Sequence, residues 1–155
     1  MTTKPGPAGS TTDPDAEATA YARQLTIHAA PGHVFAAIAT LDGLRGWWTT
    51  IVTGSAAAGG TLRFGFAGLE EQIVMRVDAV RPPSAITWSC MAHTRDDEWT
   101  GSSVRFELAE RGPRACELSF RHAGIAREFV ADGWEHFLAS LAAYAEHGTG
   151  SPFGA

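Results

Sequence analysis

Residues 125–147 read IAREFVADGWEHFLASLAAYAEH, and no other long stretch of the chain shows so clear a helical period. Val130, Trp134, Phe137, Leu138, Leu141 and Ala145 recur at spacings of 4, 3, 1, 3 and 4, which puts them on one stripe of a 3.6-residue helix. Glu128, Asp132, Glu135, Ser140 and Glu146 fall to the other face. Burying the large side chains of that stripe contributes roughly 8–15 kcal/mol gross, before chain entropy is subtracted. Such a helix needs a surface to lie on, and the rest of the chain has to supply it.

That surface is legible upstream. From Thr50 to Ala123 the chain breaks into short β-type runs separated by turns. Ile51 to Gly54 is brief, and Ser55 to Gly60 is small and flexible. Thr61 to Phe66 alternates through Leu62, Phe64 and Phe66, and Glu71 to Val80 through Ile73, Met75 and Val77. Arg81-Pro82-Pro83-Ser84 reads as a turn, because proline donates nothing to a strand ladder. Ala85 to Met91 is a strand through Ile86, Trp88 and Cys90, and His93 to Asp97 reads as a polar loop. Glu98 to Leu108 is read as one strand through Thr100, Ser102, Val104 and Phe106. Gly112-Pro113 makes a hairpin turn into Ala115 to Ala123, which carries Cys116, Leu118, Phe120 and His122 in phase.

Ahead of this meander, Arg23 to Ala29 reads as a half-buried strand through Leu25 and Ile27. Pro31 suits a first helical turn, where its missing N–H has no intrahelical partner. Val34, Phe35, Ile38 and Leu41 follow at helical spacing, Asp42-Gly43 break the helix, and Leu44 to Trp48 form a second short one. Consecutive strands with short turns imply an antiparallel sheet of six to seven strands, with one apolar face for the long helix to cover. The expected class is α+β.

Composition bounds the function. The chain has 155 residues, enough for one domain with a real core. Its net charge of −5 and scattered basic residues argue against a nucleic-acid partner, which needs a basic patch to replace phosphate counterions. No apolar run is long enough for a membrane span. Residues 1–20 are rich in Pro, Gly, Ser, Thr and Asp and read as a disordered tail with no secretory signal. A single domain is expected over residues 21–148, with a short C-terminal tail at 149–155. Cys90 and Cys116 lack metal-ligand spacing and read as two free thiols in a reducing cytoplasm.

The element order, together with Pro31 to Phe35 and Ile38, Gly46-Trp47-Trp48, Val77 with Arg81-Pro82-Pro83, Ile86-Thr87-Trp88, and Gly133-Trp134 with Leu138, Ser140-Leu141, Tyr144 and Gly148, resembles the START-like (SRPBCC, helix-grip) superfamily. Within it the chain is similar to the bacterial homologues of the Hsp90 ATPase activator. The resemblance runs from about Arg23 to Pro152. It implies a curved sheet wrapped around the C-terminal helix, with a cavity between them for a small hydrophobic or aromatic molecule. Two other functions stay open: a cyclase, dehydratase or hydrolase acting in that cavity, and a chaperone-interacting module.

No nucleophile elbow, zinc helix, phosphate loop or dinucleotide fingerprint is present, and neither a cofactor nor a metal is expected. The polar residues in phase with apolar faces are Glu98, Thr100 and His122. His122 and Glu98 are the candidate acid–base pair, since a His and a carboxylate sharing a dry pocket can exchange protons with a substrate. Trp47, Trp48, Phe64, Phe66, Met75, Trp88, Thr100, His122, Trp134, Phe137, Leu138 and Leu141 are the candidate ligand-lining residues, with Trp47 and Trp48 near the entrance. His93 reads as solvated, and His28, His33 and His136 as peripheral. A homodimer through an edge strand is the remaining partner considered.

Overall fold

Seven strands form one curved antiparallel sheet in the computed structural model, which describes residues 19–155. In chain order the elements are β1 (Ala20–Ile27), α1 (Pro31–Ala39), α2 (Leu41–Trp47), β2 (Ile51–Gly54), β3 (Thr61–Gly65), β4 (Gln72–Arg81), β5 (Ala85–His93), β6 (Ser103–Glu110), β7 (Cys116–Ala123) and α3 (Ala131–His147). Single 3-10 turns at Asp97–Trp99 and Arg127–Phe129 precede β6 and α3. The sheet order β1-β7-β6-β5-β4-β3-β2 is a meander from β2 to β7, with β1 added beside β7. The α+β helix-grip architecture is therefore as expected. The tail read over 1–20 lies outside the described residues up to 18, and Ala20 already belongs to β1 and is buried.

The helix α3 starts later than its sequence period suggests, because Arg127–Phe129 takes a 3-10 turn instead. Trp134, Leu138, Leu141 and Ala145 are buried as the stripe requires, and Phe137 is half-buried. Ser140, placed on the polar face by spacing, is also buried. Its hydroxyl donates to the Trp47 carbonyl at 2.8 Å and accepts the Ser151 N–H at 2.7 Å. A polar side chain can sit on a buried face when both its hydrogen-bonding roles are filled. Gly148 ends the helix at φ +83, and its N–H donates to the Tyr144 carbonyl at 2.8 Å. The chain then returns beside the residues just ahead of β2: the Phe153 N–H donates to the Trp48 carbonyl at 2.8 Å, and its carbonyl accepts from the Thr50 N–H at 3.1 Å.

Close packing of α1 on α2 depends on Gly43. A Cβ there would lie 2.5 Å from the Ala37 carbonyl oxygen and 2.6 Å from its Cα, so the backbone itself would have to move. Gly43→Ala is expected to cost about 1–3 kcal/mol by overpacking. Urea denaturation reads this directly, and an unchanged midpoint would show that the two helices can separate freely.

Candidate functional site

The inner face of the sheet is filled, not hollow. Trp47, Phe64, Met75, Trp88, Leu138 and Leu141 are all fully buried core residues. The Trp47 indole N–H donates to the Ala37 carbonyl at 2.8 Å. Trp48 is the hub, with ring centroids 4.2 Å from Phe64, 5.1 Å from Trp134 and 6.0 Å from Trp88. Packing of this density leaves no room for a ligand along the middle of the grip.

Space survives at one end, where α3 begins. A pocket of about 140 Å³ opens there. Trp48 and Phe66 form one wall; Val130, Gly133, Trp134 and Phe137 form another; Phe129 and Trp99 sit at the rim. Ile73 closes the floor beside two polar residues, Glu71 and His93. Four of the sequence candidates therefore meet in one place: Trp48, Phe66, Trp134 and Phe137. The other lining candidates belong to the core behind it, except Thr100, which is exposed.

His93 was read as a solvated loop residue, and this is corrected: it is the last residue of β5 and 7 % exposed. The reason is a bulge. Met75 pairs with Cys90 and Val74 with Ala92, so Met91 is an extra residue in β5 and the inward phase moves from even to odd positions. His93 then stands opposite Ile73 and points inward. Its Nδ1 accepts the Arg95 and Asp96 N–H groups at 3.3 and 3.1 Å. The ring proton therefore sits on Nε2, which lies 3.4 Å from Glu71 Oε2. Burial pushes the His93 pKa down, against the opposing pull of Glu71, so the pair is a neutral imidazole beside a carboxylate at neutral pH. Glu71 is two residues before Ile73 and in phase with Met75 and Val77. The signal that would have found it is the ordinary period of a strand.

Glu98 and Thr100 are also corrected. Both are exposed, in and just after the Asp97–Trp99 turn, and the strand starts only at Ser103. Asp96 caps the turn by accepting the Glu98 N–H at 3.1 Å, and Gly101 closes it at φ +88. An Asx cap followed by a left-handed glycine defeats a period-two reading. Trp99, which that reading pointed away from the cavity, packs 5.1 Å from His93 and 4.7 Å from His122.

His122 is fully buried but does not line the pocket, and both its nitrogens are used. The Trp134 indole N–H donates to Nδ1 at 3.0 Å, so the proton is on Nε2, which donates to Ser102 Oγ at 2.8 Å. Ser102 in turn donates to the Trp99 carbonyl at 2.6 Å. No carboxylate joins this chain, and burial alone pushes the His122 pKa down to about 4. The acid–base pair of His122 with Glu98 is not assembled. Cys90 and Cys116 are free and buried; burial pushes the Cys90 thiol up to about 11 and raises that of Cys116. Among the described residues no three or more metal-ligating side chains converge, and no helix is long and apolar enough to cross a membrane.

A single sheet gripping a C-terminal helix, with an aromatic pocket at the helix's first turns, defines a START-like, helix-grip protein. The chain belongs to the family described as "Activator of Hsp90 ATPase homolog 1-like protein", whose sequence model matches residues 28–146. It is similar to the Aha1 dimer from Colwellia psychrerythraea, at 28 % identity and a TM-score of 0.72, over 84 % of this chain and 98 % of that one. Two further structures share the fold. CalU16 from Micromonospora echinospora is 22 % identical with a TM-score of 0.67, over 91 % of this chain and 82 % of its own. An HSP90 activator from Plasmodium falciparum is 17 % identical with a TM-score of 0.68, over 79 % and 93 %. No curated protein matches the sequence.

Proposed function

We propose that this chain binds a small, mainly apolar or aromatic molecule in the pocket at the start of α3. The observation that carries the reading is the pocket itself: about 140 Å³, walled by aromatic side chains, with Glu71 and His93 as its two polar groups. Apolar walls with few convergent polar groups are the usual make-up of a ligand site. The volume is below the roughly 300–1,000 Å³ of drug-sized sites and close to the ~150 Å³ of an apolar cavity that holds benzene. The occupant is therefore one ring or its equivalent, or one end of a longer molecule. This reading goes with a single domain over residues 21–148 and a cytoplasmic setting.

Gly133 supplies the test. Gly133 lines the pocket and a Cβ at this helical position meets nothing within 4 Å, so Gly133→Leu adds bulk at the pocket lining with no clash in the core. Thermal-shift and native mass spectrometry against single-ring aromatics are expected to show binding to the wild type and at least a tenfold loss in Gly133→Leu. Equal binding by both proteins, or none by the wild type, would remove this reading.

A second reading is activation of an Hsp90 ATPase. The family and the description of the Plasmodium falciparum relative favour it. It is tested by the ATPase rate of an Hsp90 with and without this protein; an unchanged rate at saturating concentration rejects it. An enzymatic role through His122 and Glu98 has no geometric support, because the two side chains do not share the pocket.

A further inference from the structure

Resting on the ligand-binding reading of the same pocket, we infer that its preferred occupant is a small organic cation, an alkylated ammonium of about choline size, held between the aromatic walls and the Glu71 carboxylate. Three observations lead there. The lining is mostly aromatic: Trp48, Phe66, Trp134 and Phe137 in the walls and Trp99 and Phe129 at the rim, with Trp48 5.1 Å from Trp134 and 6.3 Å from Phe137 and Trp99 6.3 Å from Trp134. Aromatic rings around one space attract a cation through their quadrupoles, most strongly where water is excluded. A neutral ligand would use the same walls only for their area.

The charge balance is the second observation. Glu71 is the single charged side chain among the lining residues, and no lysine or arginine lines the pocket among the described residues. Its Oε2 lies 3.4 Å from Nε2 of His93, and a neutral imidazole there leaves the carboxylate's charge uncancelled. His93 in turn is locked in its neutral form by two backbone N–H groups on Nδ1. Arg95, whose charge reaches His93, is exposed in the neighbouring turn and does not line the pocket. The start of α3 adds a partial positive charge of roughly half a unit, less than one full carboxylate, and Asp132 in its first turn works against it. An anionic ligand such as an aromatic acid would meet Glu71 with no counter-charge; a cation completes the site.

Size is the third. A trimethylammonium head with a short arm has about the bulk of a single ring, so it suits a space of about 140 Å³.

The test compares choline with its neutral isostere, 3,3-dimethyl-1-butanol, which has the same shape and no charge. Toluene and phenol serve as neutral aromatic probes. Binding is read by tryptophan fluorescence and calorimetry at pH 7.5. The wild type is expected to bind choline at least about tenfold tighter than the isostere, within the reach of a desolvated cation–π site with a carboxylate. Glu71→Gln, which removes the charge and nearly keeps the side chain's shape, is expected to bring the two to within about threefold. Equal or tighter binding of the isostere by the wild type overturns the proposal, as does an unchanged preference in Glu71→Gln. If toluene or phenol binds and choline does not, the cation proposal fails while the apolar-ligand reading stands. If no probe binds, both fail.

Discussion

Trp134→Ala is expected to lose roughly 5 kcal/mol of stability and to leave little folded protein at room temperature. Trp134 is 2 % exposed, with its ring 4.4 Å from Phe120 and 5.1 Å from Trp48. Truncating a buried tryptophan to alanine costs about 3–5 kcal/mol through lost burial and the cavity left behind. Removing the indole N–H also strips His122 Nδ1 of its donor, and an orphaned buried acceptor costs a further 1–3 kcal/mol or so. The sum is comparable with the roughly 5–15 kcal/mol that holds a domain together. Trp134→Phe separates the two parts. It keeps most of the ring packing, loses the donor, and is expected to cost about 1–3 kcal/mol in urea denaturation. A loss below about 2 kcal/mol in Trp134→Ala would mean that the helix is held mainly elsewhere.

Acidification from pH 6.5 to 4 is expected to remove about 3 kcal/mol through His122 alone. An unfolded histidine titrates near 6.5, whereas burial holds His122 down to about 4 in the folded chain. Between those values the unfolded chain binds the extra proton, so stability falls with pH across this window and is fully present above it. Ser102, Trp99 and Trp134 face the imidazole, and none can supply a counter-charge to rescue the protonated form. His93 is shifted in the same direction and adds to the same slope. Urea melts at pH 7 and 4.5 should show the loss in the wild type. His122→Asn keeps an acceptor for the Trp134 N–H and carries no proton there, so its slope should be markedly flatter. Equal slopes in both proteins would rule out His122 as the titrating group.

The pocket sits beside this acid-sensitive chain without being part of it. Trp99 and Trp134 belong to both, each touching His122 on one side and the pocket on the other. The tryptophan–histidine–serine chain therefore holds one wall and part of the rim of the pocket in place. The proposed pocket is walled by residues that stability also needs, which is why Gly133 and Glu71 are better probes of the proposed binding than any of the tryptophans.

Local pattern alone determined the architecture. The stripe from Val130 to Ala145, the alternating runs from Thr61 to Ala123 and the breaks at Pro82-Pro83 and Gly112-Pro113 each encode an element through nearest-neighbour geometry. Those elements bury their apolar faces in one economical way, a sheet closed by its last helix. The site was only partly legible. Trp48, Phe66, Trp134 and Phe137 were readable as inward aromatics, and Glu71 stood in phase with Ile73 and Met75. What tertiary structure alone decided was where the space remains. Whether an inward side chain packs in the core or borders a cavity depends on side chains from other elements: Met75 and Leu138 meet partners, while Phe137 meets a gap. A one-residue bulge at Met91, set by pairing with β4, turned His93 inward, and the cap at Asp96 turned Glu98 out. Pairing across strands and filling of space are non-local, and a single chain's periodicity carries neither.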